Sequence, residues 1–341
     1  MATISERLED DRPILMDGAT GTELESRGVS MHNIAWSGIA VATDPDIVRQ
    51  VHLDYIRAGA EIIITNTFAT GRNMLRLAGE ESRTEDLNRQ AARLALQARE
   101  EAGNAKNKAS DASWQRAPDS VWVAGSISPM SGGLGDEANP SASQMRSDFE
   151  EQAELLAESG VDLLVLEMIR DIDFACIALN AAKGTGLPVW VGFSCAMTKE
   201  GDINLAPAVH EKVPLAKGVA AVMAEGGSLA AVMHSDVDIT GPALEIVQSV
   251  WAGPTGAYPE SGYFEKPNWQ FVDIIAPGDF ANRAVGWIEK GARMVGGCCG
   301  IGPRHIRALA DRLSVSVTNP SWVPGRPAVL GPGPVSRLSP D

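Results

Sequence analysis

Eight short apolar runs, each followed by a longer segment of helical periodicity, constrain the fold of this 341-residue chain more than any other feature. Such alternation builds a parallel sheet, because each strand must return through a crossover helix before the next one starts. The runs lie at residues 13–20, 61–68, 121–128, 162–168, 188–195, 228–235, 253–259 and 293–299. Helices are expected at 45–58, 84–102, 142–159, 242–251, 278–290 and 303–313, several opening on Pro or following Asp, Ser or Thr as helix N-termini do. Eight units predict an α/β fold of the (β/α)8 TIM-barrel type over residues 1–318, although periodicity alone also admits a doubly wound sheet. Residues 104–117 read as a polar surface excursion, and 319–341 as a Pro/Gly-rich tail, either disordered or a packing arm.

Charge narrows the partners. Lys and Arg total 29 against 44 Asp and Glu, a formal net charge of -15. That balance argues against nucleic acid and against anionic membranes. The N-terminal residues carry no apolar signal segment and no run of about 18 uncharged apolar residues occurs, so a cytoplasmic location is expected. The four cysteines, Cys176, Cys195, Cys298 and Cys299, are too few for a secreted disulfide framework, so reduced thiols are expected. A homo-oligomer is compatible with all of this.

In a barrel the reactive residues sit at the C-terminal ends of the strands. Run eight ends in Gly296-Gly297-Cys298-Cys299-Gly300. Adjacent thiols among glycines suit a zinc site, since thiolates are soft ligands and glycine lets the backbone turn sharply. A buried cysteine pair, a strained vicinal disulfide and a Gly-rich phosphate loop are the competing readings. Run one ends in Asp17-Gly18-Ala19-Thr20-Gly21-Thr22, where Asp17 suits an ammonium and freed backbone N–H groups suit an anion. Run two ends in Thr65-Asn66-Thr67-Phe68. Glu167 closes an apolar run, where a carboxylate is costly without a partner, either a ligand or Arg170 in a structural ion pair. His234 ends run six, and with Cys298 and Cys299 would make a Cys2His set with a fourth position open to a substrate sulfur. Cys195, ending run five, competes as the third ligand, whereas Cys176 reads as a core residue of an amphipathic helix.

Together with Trp36-Ser37, His52, Tyr55, Ala58-Gly59-Ala60 and Tyr258-Pro259, these residues occur in an order and spacing that resembles the homocysteine S-methyltransferase family over most of the chain. That family includes betaine-homocysteine and S-methylmethionine-homocysteine methyltransferases. The resemblance implies a zinc-bearing barrel in which Cys298 and Cys299 hold the metal. It also implies that Asp17, Gly18, Ala19, Thr20 and Glu167 hold the amino-acid end of homocysteine, with Asn66 and Trp36 in the same substrate site. One position departs from the pattern: the family has Asn-Cys at the end of strand six, and this chain has Met233-His234. Either His234 replaces the thiolate, or the chain is a metal-free amino-acid-binding or regulatory barrel that has lost the site.

The activity implied is methyl transfer from a sulfonium or quaternary ammonium donor to the thiol of homocysteine, giving methionine. Coordination to zinc would supply the thiolate at neutral pH, where a free alkyl thiol of pKa about 8.5 is mostly protonated. A neutral imidazole in place of a third thiolate leaves the centre one unit more positive. Trp36 is the candidate aromatic face for a cationic donor. Met168 stands where betaine enzymes have an aromatic residue, which favours S-methylmethionine or another sulfonium over betaine.

Overall fold

The computed structural model describes residues 3–107, 118, 120–129, 140–206 and 212–317. Eight strands form the central sheet: β1 (Ile14–Leu15), β2 (Ile62–Ile64), β3 (Trp122–Ile127), β4 (Leu163–Ile169), β5 (Val189–Phe193), β6 (Leu229–Asp236), β7 (Thr255–Glu260) and β8 (Ala292–Val295). Their order is β1-β8-β7-β6-β5-β4-β3-β2, with every pairing parallel. A parallel bridge from Met16 to Ile62 joins the two ends, so the sheet closes on itself. Closure satisfies the edge strands and rules out the doubly wound alternative.

A barrel helix follows each strand: α1 (Pro45–Ala58), α2 (Thr84–Asn107), α3 (Ala142–Glu158), α4 (Ile172–Gly184), α5 (Leu215–Ala224), α6 (Val237–Val250), α7 (Pro277–Glu289) and α8 (Pro303–Val317). Shorter helical segments lie at Ile4–Glu9 before β1, at Thr20–Ser26 and Ala40–Thr43 after β1, and at Arg72–Ala78 and Glu81–Arg83 after β2. Strand alternation sorts the core into two layers. Ile62, Ile64, Leu163, Val165, Leu229, Ala231 and Met233 fill the barrel interior. Ile63, Leu164, Leu166, Ala230 and Val232 pack outward against the helices.

Several bounds differ from the sequence expectation for local reasons. Helix α6 starts at Val237 rather than 242, because the Asp236 side chain caps it by accepting from the Asp238 N–H at 2.7 Å. Pro242 therefore lies inside the helix and not at its first position. Helix α2 takes in Asn104–Asn107 of the expected excursion; residues 108–117 and the tail 319–341 lie outside the described residues. Two antiparallel ribbons add to the expected elements: Cys195–Met197 with Ile203–Leu205 after β5, and Tyr263–Glu265 with Asn268–Gln270 after β7. Among the described residues no helix is long and apolar enough to cross a membrane.

Candidate active site

Regular alternation aims the first group of polar side chains. Leu163 and Val165 face the barrel interior, so Glu167, two positions on, faces it as well. Ser126 follows the same rule after Trp122 and Ala124, and its hydroxyl makes a short hydrogen bond to Glu167 Oε2. Burial, with Cys298 nearby, pushes Glu167 up to about 8 despite that bond. Asp17 is fully buried at the end of β1; its Oδ2 accepts from the Ile64 N–H at 2.8 Å, and its Oδ1 has no partner. Burial and the neighbouring Glu167 raise its pKa well above the ordinary carboxylate range, against the Ile64 bond. Two buried carboxylates this close to one another favour a cation between them.

Irregular backbone aims the second group. The pairing of β6 with β7 shifts register between Met233 and Asp236, and His234 takes a left-handed φ of 40°. A bulge of this kind redirects a side chain, and in this barrel it turns His234 onto the cysteine loop. The ligand atoms of His234, Cys298 and Cys299 all lie within 4.8 Å of one another. Cys298 Sγ is 3.5 Å from His234 Nδ1 and 4.0 Å from Cys299 Sγ. Its hydrogen bond with Cys299, helped by His234, pulls the Cys298 thiol down to about 6 against the cost of burial, while Cys299 is pushed up. Burial disfavours a charge on His234, but Cys298 and Glu260 outweigh it and push the imidazole up to about 10. A thiolate with an imidazolium is a self-paired state that also suits a metal, which would displace the protons.

Cys195 does not join this group. It begins the first ribbon, its N–H donates to Ser235 Oγ at 2.9 Å, and its Sγ is 3.3 Å from the same oxygen. Burial pushes its thiol up to about 11. Cys176 packs partly buried against the outer core.

A cavity of about 390 Å³ opens over both groups, lined among others by Gly18, Ala19, Thr20, Trp36, Asn66, Glu167, Met168, Met233, His234, Cys298 and Cys299. Gly18 is there for space: a Cβ would sit 2.1 Å from the Ile301 carbonyl oxygen. The Ala19 N–H already donates to that carbonyl at 3.0 Å, so Ala19 contributes its position and not its amide. Asn66 holds the Trp36 loop, its Nδ2 donating to the Ser37 carbonyl at 2.8 Å and its Oδ1 accepting from the Ser37 hydroxyl at 2.9 Å. Trp36 and Met168 both have left-handed φ, 42° and 64°, and the Met168 N–H lies 3.1 Å from Met233 Sδ. Three of the four non-glycine residues with positive φ among the described residues thus line this cavity, as backbone strain at a functional site would. The buried Asp17 Oδ1, Trp36 Nε1 and Tyr258 hydroxyl have no protein partner.

Residues without a signal in the sequence complete the walls. Trp269, on the second ribbon, lines the cavity with its ring 6.1 Å from that of His234, and its Nε1 donates to the Ser261 carbonyl at 3.1 Å. Glu260 ends β7 with its Oε2 2.8 Å from His234 Nδ1.

Comparison with known proteins fits this geometry. The family model described as homocysteine S-methyltransferase matches residues 14–313. The chain is 30% identical over 314 residues to homocysteine S-methyltransferase 4 of Zea mays, covering 87% of this chain and 88% of that protein. It is 28% identical over 323 residues to homocysteine S-methyltransferase of Escherichia coli (strain K12), covering 88% and 94%. The crystal structure of the homocysteine methyltransferase MmuM from Escherichia coli, in its metallated form, superposes with a TM-score of 0.70 at 25% identity, covering 89% of this chain and 97% of that one.

Proposed function

Because the chain belongs to the homocysteine S-methyltransferase family, we propose that it moves a methyl group from a small sulfonium donor to the thiol of homocysteine, with zinc held by His234, Cys298 and Cys299. The observation that carries this reading is the convergence of two thiols, an imidazole and the buried Glu167 in one cavity at the C-terminal mouth of the barrel, with the buried Asp17 next to its Gly18 wall. Two sulfurs and one nitrogen match the donor set of a catalytic zinc site that keeps one position open. A similar protein, MmuM, has been solved in a metallated form. When bound, zinc would supply Lewis acidity that favours the thiolate form of the substrate sulfur at neutral pH.

The chain's own residues do the rest. Asp17 and Glu167 take the substrate ammonium, whose charge offsets the burial, and for Asp17 the neighbouring Glu167, that raises these carboxyls. Asp17 Oδ1 and the Tyr258 hydroxyl, unpartnered in the protein, gain hydrogen bonds to the amino-acid end. Gly18 and Thr20 leave room for that end. Trp36, held by Asn66, offers an aromatic face to the cationic donor, and the Met168 and Met233 wall keeps water away from the transfer. A lone pair on the homocysteine sulfur forms the new S–CH3 bond while the donor's C–S bond breaks. The electron pair stays on the donor sulfur, which leaves as a neutral thioether. All four thiols are free, in keeping with a reducing compartment such as the cytoplasm.

The test is a donor panel of S-methylmethionine, another sulfonium and betaine with homocysteine and the zinc-loaded protein, read as methionine formed. Methionine from a sulfonium donor is the expected result. No product from any member of the panel, with zinc present at one per chain, would overturn the assignment.

A further inference from the structure

Glu260 has no role in the scheme above, yet the fold delivers it to the cysteine loop. Tyr258 faces the barrel interior, and Glu260, two positions on, carries that alternation to the mouth. Backbone hydrogen bonds clamp it on both sides: the Cys298 N–H donates to the Pro259 carbonyl at 2.7 Å, and the Ser261 N–H to the Cys299 carbonyl at 2.9 Å. Gly300, at φ 80°, permits this closeness, since a Cβ there would stand 1.9 Å from the Ser261 carbonyl oxygen.

The carboxylate so placed has its Oε2 2.8 Å from His234 Nδ1. That oxygen is shielded from water and has no donor in hydrogen-bonding alignment. An unsatisfied buried carboxylate oxygen is costly unless a neighbouring cation compensates it. His234 Nδ1 is the nitrogen that the structure places against it.

Resting on the zinc reading above, we propose that Glu260 is the positioning residue of the metal centre, holding the His234 ring at Nδ1 so that the other ring nitrogen serves the metal, and supplying the negative charge that a third thiolate would have brought. Two thiolates and a neutral imidazole balance a divalent cation to zero; the Glu260 carboxylate makes the total one negative, as three thiolates would. Carboxylates that orient ligand histidines raise their basicity and fix the ring, and losing one typically weakens metal binding about 10–100-fold.

The experiment is a double-mutant cycle on the full-length protein, read as zinc affinity by chelator competition and as the thiolate-to-metal absorption of the cobalt(II) form. Glu260→Gln should weaken zinc about 10–100-fold, with Glu260→Asp recovering part of the loss. In a His234→Cys background the same Glu260→Gln change should leave zinc affinity within about twofold, or raise it, because the thiolate now carries the charge. The cobalt absorption should shift with Glu260→Gln only when His234 is present. Equal weakening in both backgrounds would show a general structural effect and overturn the proposal. So would unchanged affinity of Glu260→Gln in the unmodified background, which would leave the zinc reading intact. A wild-type protein that takes up no zinc would overturn both.

Discussion

The two sides of the barrel mouth are built by different means. On the β1 to β4 side, Ser126 and Glu167 are aimed by the alternation of β3 and β4, which holds up to Glu167 before β4 bulges at Met168, and Asp17 stands just past the end of β1, held by the Ile64 N–H. On the β6 to β8 side, His234 sits on a bulge with left-handed φ, and the two cysteines sit in a glycine loop pinned to β7. The electrostatics divide the same way. Burial pushes the carboxyls up, Glu167 to about 8, whereas Cys298 is pulled down to about 6 by its own neighbours. The carboxylate side lacks its counter-charge, which the proposed substrate ammonium would bring, while the thiol side already carries a complementary pair. Under the proposed function, the substrate would complete the first side, whereas the second is organised without it.

The largest effect that would break this division is on the thiol side. Cys298→Ser or Cys299→Ser should lose zinc and reduce methyl transfer to background together, because a site with three protein ligands tolerates no omission. Zinc analysis alongside a methionine assay checks this; full activity in a zinc-free Cys298→Ser protein would contradict it.

On the carboxylate side a smaller and separable effect is expected. Asp17→Asn and Glu167→Gln should keep zinc and raise the KM for homocysteine about 10–100-fold, the equivalent of about 1.5–3 kcal/mol for a hydrogen bond to a charged group. Steady-state kinetics with metal analysis separates the two sides, and loss of zinc from either variant would erase the distinction between them.

The last effects leave activity aside and concern stability against pH, and they carry opposite signs. Glu167 has its folded pKa raised from 4.5 to about 8, so the ligand-free protein should lose stability as pH rises through that window, and Glu167→Gln should flatten the loss. His52, fully buried in α1 with neither ring nitrogen partnered, is lowered by burial from 6.5 to about 4. Only the unfolded chain takes up that proton below 6.5, so stability should fall between pH 6.5 and 4, by about 3 kcal/mol at most. Urea denaturation across pH 4 to 8, with His52→Leu flattening only the acid limb, checks both signs.

The same division governs what is legible in the sequence. Short apolar runs between helical segments mark the eight strands, and Glu167 stands out as an acid closing one of those runs. The cysteine pair and Asp17 are legible from residue type and neighbours. Glu260 escapes notice because the apolar run seven closes at Pro259, one residue short, and a glutamate just past a strand end reads as solvated. The choice between His234 and Cys195 is open in sequence, since both end apolar runs. A bulge after Met233 and the ribbon that draws Cys195 to Ser235 decide which of them faces the cysteine loop, and neither has a local signature. Trp269 arrives on a ribbon whose strands are three residues each, too short for periodicity to reveal.

His234 as the third ligand is the central claim, and zinc content per chain in three purified variants tests it directly. His234→Ala should emerge with little zinc, His234→Cys should hold about one per chain, and Cys195→Ser should match the unmodified protein. Stoichiometric zinc in His234→Ala together with its loss from Cys195→Ser would place the ligand set on Cys195, Cys298 and Cys299, and would contradict the role of the β6 bulge in aiming His234 at the metal.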